Sequence, residues 1–204
     1  MTSGATSDPI AEAVAAALAG ELVVLPTDTV YGVGTRPDDP TATGRLFLAK
    51  RRGRDLQLPV LVATRALAEE VARLDERARS LAGRFWPGPL SLVMRRSERS
   101  RAWDLGGDDT TIAVRVPHHP VALEVPARTG PLAVTSANLS GDPTPYEPEA
   151  LRSVFGGTVA VYLCEDGFRP GRPSTVVDLT GDPPRVLREG AIGARMLAEA
   201  LEGT

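Results

Sequence analysis

Cysteine, histidine and lysine are scarce in this chain of 204 residues. Cys164 is its one cysteine, and the two histidines are the neighbours His118 and His119. One cysteine cannot form an internal disulfide bond or a cysteine-based zinc site, and two adjacent histidines seldom converge on one ion. The composition therefore excludes a disulfide scaffold and predicts no metal site. It fits a reducing compartment, so we expect a cytoplasmic protein.

Long apolar runs and an excess of one charge are also missing. The most apolar stretch, residues 10–25, is interrupted by Glu12, Gly20 and Glu21, whereas a membrane span needs about 20 apolar residues. The opening MTSGATSDP has no basic residue ahead of an apolar run, unlike a secretory signal. The net charge of −3 does not suit a generally basic nucleic-acid coat. We therefore predict no membrane association, and 42% apolar residues suffice for a core.

Lys50 is the only lysine, and every other basic residue of the 23 is an arginine. A lysine ammonium is compact and flexible and can follow a shifting phosphate, whereas a guanidinium is a rigid planar fork. The solitary lysine is consistent with a functional role and equally with an accident of composition.

Helical and strand patterns alternate along the chain. Asp8 and Pro9 begin a helix that ends at Gly20, a strand follows at 21–25, and a second helix covers 41–50. Strands are further predicted at 59–63, 90–94, 111–116, 132–135, 158–163, 174–179 and 185–188, with helical segments at 65–84 and 192–201. Alternation favours an α/β layer structure, and the strands clustered near the C-terminus favour some antiparallel pairing. We expect one mixed, twisted sheet in a single domain over residues 1–204.

Hydroxyls, an acid and glycines gather in residues 26–34, PTDTVYGVG, directly after a buried strand. Loops at the carboxyl ends of strands bind ligands in open α/β sheets. A tight turn whose threonines bond their own backbone explains the same residues, and both interpretations stay open.

A basic cluster, Lys50-Arg51-Arg52-Gly53-Arg54, ends the second helix. Cations stabilise a helix C-terminus, but this density causes repulsion unless an anion binds. A polyphosphate is the favoured ligand, and RNA phosphate is the rival.

The strand 111–116 carries a charge in its middle. Alternation places Thr111, Ala113 and Arg115 on one face and apolar residues on the other. A buried guanidinium needs a partner, so Arg115 should meet a carboxylate of the protein or of a ligand.

Three hydroxyls and an amide lie in residues 134–141, VTSANLSG, again after a strand. These groups can form hydrogen bonds to phosphate and ribose oxygens. The chain has no Gly-x-Ser-x-Gly elbow, no P-loop and no Gly-x-Gly-x-x-Gly after a strand. The residues alone therefore predict an anion-binding α/β enzyme.

Seven blocks follow one another over nearly the whole chain: PTDTVYGVG, KRR, WPGPLSLV, TIAVRVP, TSANLSGDPTP, STVVD and VLREG. Together they resemble the YrdC-like family of threonylcarbamoyl-AMP synthases, in its short, single-domain TsaC-type form without an additional C-terminal domain. The resemblance implies a twisted open mixed β-sheet with flanking helices around a deep, positively charged cavity. It also implies a nucleotidyltransferase that forms threonylcarbamoyl-AMP and pyrophosphate from L-threonine, bicarbonate or CO2, and ATP with Mg2+. The product serves the N6-threonylcarbamoyladenosine modification of tRNA.

The resemblance also assigns site residues. Lys50 and Arg52 would be catalytic and hold the ATP phosphates, with Arg52 and Arg54 as the alternative pair. Threonine would contact Thr27, Arg115 and Ser174, and the nucleotide would further contact Thr111, Ser136, Asn138, Thr144 and Arg188. Transient contact with tRNA or with the downstream transfer machinery is a further expectation.

Two other functions remain in view. An RNA-binding module of the same fold would use residues 50–54 and 95–101 as phosphate contacts, although only 4% of residues are aromatic. A related carbamoyl or adenylyl transferase would act on a substrate other than threonine.

Overall fold

The computed structural model describes residues 8–201 and has a mixed α/β architecture. Its helices are α1 Pro9–Leu18, α2 Pro40–Ala49, α3 Arg65–Val71, α4 Glu76–Phe85, α5 Pro120–Thr129, α6 Pro148–Phe155 and α7 Ala194–Leu201. Its strands are β1 Leu22–Leu25, β2 Gly32–Thr35, β3 Val60–Leu61, β4 Leu90–Arg95, β5 Thr111–Arg115, β6 Leu132–Ser136, β7 Val159–Tyr162, β8 Thr175–Asp178 and β9 Arg185–Arg188. None of the helices within residues 8–201 has the length and hydropathy of a membrane span.

The nine strands form one sheet in the order β7-β1-β2-β6-β3-β5-β4-β8-β9. Three neighbouring pairs are parallel, namely β7 with β1, β3 with β5 and β4 with β8. The other pairs are antiparallel, including β8 with β9. The predicted mixed, twisted sheet with antiparallel pairing among the late strands is confirmed.

Helices cover the sheet through two apolar clusters. The larger joins the central strands to α2, α3, α4, α6 and α7, and the smaller joins β1 and β6 to α1 and α5. On β5, Ile112 and Val114 lie fully buried in the larger cluster. Alternation therefore leaves Thr111, Ala113 and Arg115 on the opposite face, as the sequence pattern predicted.

The prediction was wrong at three elements. Residues 32–35 form β2 and not a loop, because Gly32 and Gly34 lie against β6, where a Cβ at either position would approach Val134 to 2.6 Å. The helices α5 and α6 were missed, and α5 contains Pro126, which normally interrupts a helix. The predicted helical segments at 65–84 are confirmed as α3 and α4, which residues 72–75 separate.

Candidate active site

A cavity of about 810 Å³ lies over one face of the sheet. Its floor comes from neighbouring strands and includes Gly32, Ser91, Val93, Ala113 and Val176. The small side chains at the centre leave room above the sheet, and the volume falls within the range typical of cofactor and small-molecule sites.

Nine of the ten predicted site residues line this cavity: Thr27, Arg52, Thr111, Arg115, Ser136, Asn138, Thr144, Ser174 and Arg188. They come from six separate stretches of the chain, and the sheet brings them together. Lys50 is the exception, because its side chain is fully buried behind the cavity wall.

The cavity lining carries both signs of charge. Its arginines are Arg52, Arg115, Arg185 and Arg188, and its acids are Asp55, Asp108, Asp142 and Asp178. Asp178 is itself paired with Arg185 at 2.9 Å. The positive cavity implied by the sequence resemblance therefore stays a prediction.

The turn after β1 is built by its own threonines. Thr27 Oγ1 accepts hydrogen bonds from the backbone N of Thr29 at 3.1 Å and of Val30 at 3.3 Å, and it donates to Val30 O at 2.7 Å. Thr29 Oγ1 lies 3.0 Å from Thr27 Oγ1. The tight-turn interpretation of the PTDT block is confirmed, because the turn is locally bonded. Thr27 and Thr29 also line the cavity, and ligand binding by this block stays a prediction.

Arg115 lies at the end of β5 with a side chain only 7% exposed. Its Nε donates to Gly88 O at 2.9 Å, Nη1 to Thr29 Oγ1 at 3.0 Å and Nη2 to Asp28 Oδ1 at 2.5 Å. The required carboxylate is thus present in the protein, as Asp28, which also accepts from the backbone N of His118. A guanidinium has five N–H groups, so two have no partner among residues 8–201. Burial lowers the pKa of Arg115, and the charge of Asp28 opposes that shift.

Helix α2 ends in a turn that directs neighbouring basic side chains apart. Arg51 has a positive φ of 50°, and the backbone N of Arg52 bonds Phe47 O while that of Arg51 bonds Leu48 O. This is a Schellman motif with arginine where glycine is usual, at a cost of about 1 kcal/mol. Lys50 therefore points into the protein while Arg52 reaches the cavity.

Arg52 is anchored but not saturated. Its Nε donates to Leu56 O at 3.1 Å and its Nη2 to Gln57 O at 3.0 Å, which leaves Nη1 without a partner among residues 8–201. Burial lowers the pKa of Arg52. Arg54 instead pairs with Asp104 at 2.6 Å and lies over the ring of Phe47, so Arg52 rather than Arg54 faces the main cavity.

Lys50 was predicted to hold phosphate, and its position requires a correction. Its Nζ donates to Ser136 O and Asn138 O and lies 3.3 Å from Asn138 Oδ1. All three ammonium hydrogens are therefore directed at the protein itself. Lys50 contacts the wall of the cavity from behind.

The segment 136–144 forms one wall of the cavity. The Asn138 amide donates to Leu139 O at 2.7 Å and Asp142 O at 2.6 Å, and Thr144 Oγ1 donates to Asn138 Oδ1 at 3.4 Å. Asn138 thus shapes the loop with its own side chain. Ser136 Oγ has no partner in the described part of the chain and is free to bind a ligand.

Ser174 and Arg188 form a second wall across β8 and β9. Arg188 donates from Nε to Ser174 O and from Nη2 to Ser174 Oγ, both at 3.0 Å. Ser174 Oγ also lies 3.1 Å from Ser91 Oγ. Burial lowers the pKa of Arg188, so an anion that replaces its lost hydration would be favoured.

Sequence reasoning missed several residues in or behind the cavity. Thr29, which lines the cavity, and Asp28, which pairs with Arg115, both lay in the highlighted PTDT block, but their bonds to Arg115 were not foreseen. Ser91 had the signal of an alternating strand. Gln57 had none, yet its Nε2 joins the loop after α2 to Asp108 O at 2.9 Å and to Thr111 O at 2.8 Å.

The basic run 95–101 is bonded to other residues of the protein. Arg95 donates to Thr110 Oγ1, and buried Arg96 donates to three backbone carbonyls, including Thr111 O. Arg99 pairs with Glu70, and Arg101 pairs with its neighbour on the same turn. These bonds compete with any RNA phosphate. Within residues 8–201, no three histidine, cysteine or acidic side chains converge as they would on a metal ion.

Comparison with known proteins gives concordant results. Residues 15–190 match the family model of the Sua5, YciO and YrdC proteins, which is described as "Telomere recombination". A Mycobacterium tuberculosis protein, provisionally named threonylcarbamoyl-AMP synthase, is 47% identical over 193 residues, 94% of this chain and 88% of that protein. The threonylcarbamoyl-AMP synthase of Chromohalobacter salexigens is 37% identical over 85% of this chain and 94% of its own length. The Pyrococcus abyssi Sua5 structure complexed with L-threonine superposes with a TM-score of 0.85 at 36% identity. That match covers 94% of this chain and 57% of the Sua5 chain.

Proposed function

The chain belongs to the family of the Sua5, YciO and YrdC proteins, and we propose that it is an L-threonylcarbamoyl-AMP synthase. The observation that carries this proposal is the convergence of nine predicted site residues on one cavity. The cavity combines a buried arginine with free N–H groups at one end and two further arginines, Arg52 and Arg188, on its walls.

Threonine is proposed to bind at the Arg115 end. A carboxylate can accept two N–H bonds from one guanidinium, and two N–H groups of Arg115 have no partner in the described part of the chain. Thr27, Thr29 and Ser174 supply hydroxyls around the same end. The L-threonine complex of the related Sua5 protein supports threonine as the substrate.

ATP is proposed to bind with its phosphates between Arg52 and Arg188. Both guanidinium groups are partly desolvated, and no carboxylate of residues 8–201 is in hydrogen-bond contact with either. A bound anion therefore gains more electrostatic binding energy from them than from exposed arginines. Ser136, Thr144 and Thr111 add hydroxyls, and Asn138 shapes the loop that carries the first two. Mg2+ would enter as the MgATP substrate, bound by phosphate oxygens and water.

The chemistry requires an enclosed site. Threonine's amine and CO2 form a carbamate, with loss of a proton, and the carbamate reverts readily in water. A carbamate oxygen then attacks the α-phosphorus of ATP, the bond from that phosphorus to the bridging oxygen of pyrophosphate breaks, and threonylcarbamoyl-AMP results. The protein's contribution is to orient the two substrates, exclude water and stabilise charge on the departing pyrophosphate.

The biological setting is part of the same proposal. Bicarbonate or CO2 is the third substrate, and the product would serve N6-threonylcarbamoyladenosine formation on tRNA in the cytoplasm. Support comes from the names of the relatives and from the single cysteine, which fits a reducing compartment.

Pyrophosphate release tests the proposal. Purified protein, ATP and Mg2+ should release pyrophosphate only when threonine and bicarbonate are both present. Release with another amino acid in place of threonine would favour a related transferase. No release with any amino acid, together with salt-dependent RNA binding by the folded protein, would favour the RNA-binding alternative.

A further inference from the structure

Lys50 closes helix α2 and has no exposed surface. Its ammonium donates to Ser136 O and Asn138 O and lies 3.3 Å from Asn138 Oδ1, while its own carbonyl accepts from the backbone N of Ser140 at 2.9 Å. One residue therefore bonds the segment 136–140 at four points. No carboxylate in the described chain forms an ion pair with this buried charge.

Direct phosphate contact would disrupt these bonds. A phosphate reaching Nζ would displace the carbonyls of Ser136 and Asn138, which would then lose their charge-assisted partner. Arg52, two residues later, already faces the cavity with an Nη1 that no described residue bonds. The two basic residues thus occupy different places, one behind the wall and one in front of it.

We infer that Lys50 is a positioning residue that fixes the 136–144 loop from behind, so that Ser136 and Thr144 present their hydroxyls to the nucleotide. This inference rests on the proposed function for its consequence in catalysis, but not for its structural part. Burial, together with the charge of Arg52, lowers the pKa of Lys50 to about 8.

Because Lys50 is the only lysine, amine acylation of the native protein reports on it directly. The protein is treated with an acylating reagent with and without inorganic pyrophosphate, and the peptide containing Lys50 is followed by mass spectrometry. Denatured protein is the reference. We expect Lys50 to stay unmodified under native conditions in both samples while the denatured chain is fully modified.

Rapid modification in the native protein would overturn the inference, whether or not pyrophosphate suppresses it. Protection by pyrophosphate would identify a direct phosphate contact, and no protection would show that Lys50 does not hold the loop. This assay needs no turnover, so its outcome is independent of whether the protein proves to be a threonylcarbamoyl-AMP synthase.

Double-mutant cycles separate positioning from general stabilisation. We expect Lys50→Met to lower kcat/KM for ATP by about tenfold or more, and the loss to be shared with Asn138→Ala, so that the double variant is little worse than Lys50→Met. Arg52→Met is the matched control: when it is combined with Lys50→Met, the fold-losses in kcat/KM of the two single variants should multiply. Two results would contradict the positioning role. One is that the losses of Lys50→Met and Asn138→Ala also multiply, and the other is that Lys50→Met lowers the melting temperature but leaves kcat/KM unchanged.

Discussion

Replacement of Arg115 by methionine is expected to affect stability and threonine binding through different atoms. The change removes a buried guanidinium and leaves Asp28, whose side chain is only 13% exposed, without its ion-pair partner. Breaking a buried pair in this way costs about 3–5 kcal/mol. Since whole domains are stable by about 5–15 kcal/mol, we expect a large shift of the urea unfolding midpoint with the protein still folded in buffer.

The effect on threonine follows from the two N–H groups of Arg115 that have no partner within residues 8–201. Hydrogen bonds to a charged group contribute about 1.5–3 kcal/mol. At about 1.4 kcal/mol per factor of ten, Arg115→Met should raise KM for threonine by about 10-fold to 100-fold. KM for ATP should change far less, because the phosphate contacts are assigned to Arg52 and Arg188 and not to Arg115.

The double variant Arg115→Met with Asp28→Asn is the decisive control. It removes both charges, and the asparagine oxygen still accepts from the backbone N of His118. Much of the lost stability should return, whereas KM for threonine, measured by pyrophosphate release, should stay high. Recovery of threonine KM together with stability, or an unchanged KM in the single variant, would refute the role assigned to Arg115.

Three further predictions concern other parts of the molecule. Arg52→Met should weaken pyrophosphate binding, measured by calorimetry, by about tenfold or more, whereas Arg54→Met should change it less than about twofold. Equal losses in the two variants would contradict the finding that Arg52 and not Arg54 faces the cavity. Burial lowers the pKa of Lys50 from 10.5 to about 8, so between these two pH values the unfolded chain binds more protons than the folded chain. The contribution of Lys50 to the free energy of unfolding therefore rises with pH in this range. Urea unfolding at about pH 7.5 and about pH 9.5 should therefore show wild type gaining about 1–2 kcal/mol relative to Lys50→Met, and an unchanged difference would refute this. Gly34→Ala should destabilise the protein by about 1–3 kcal/mol, because the added Cβ would lie 2.6 Å from Ala133 O. At Gly157 an added Cβ would meet nothing within 4 Å, so Gly157→Ala should stay within about 0.5 kcal/mol of wild type when both variants are compared by thermal melts.

Much of the cavity was predictable because its residues come in blocks next to strand ends. Thr27 follows β1, Ser136 ends β6 and Ser174 directly precedes β8, and these side chains meet over the sheet. The alternation of β5 fixed which side of the sheet Arg115 occupies. Local sequence is sufficient for such residues because one strand determines their direction.

Lys50 and Arg115 show where local sequence was insufficient. The partners of Lys50 lie 86 and 88 residues away, and Asp28 lies 87 residues from Arg115. Whether a basic side chain meets a phosphate, a carbonyl or a carboxylate depends on which distant loop packs beside it. Strand β2 was missed for a related reason, because its glycines owe their extended conformation to close packing on β6.

The most direct test of the proposed synthase is to identify the nucleotide product. The protein is incubated with ATP, Mg2+, L-threonine and 13C-labelled bicarbonate, and the nucleotides are separated and analysed by mass spectrometry. We predict threonylcarbamoyl-AMP that contains both threonine and one labelled carbon, formed in step with pyrophosphate. Pyrophosphate release that yields only AMP, or a product without labelled carbon, would contradict the proposed reaction.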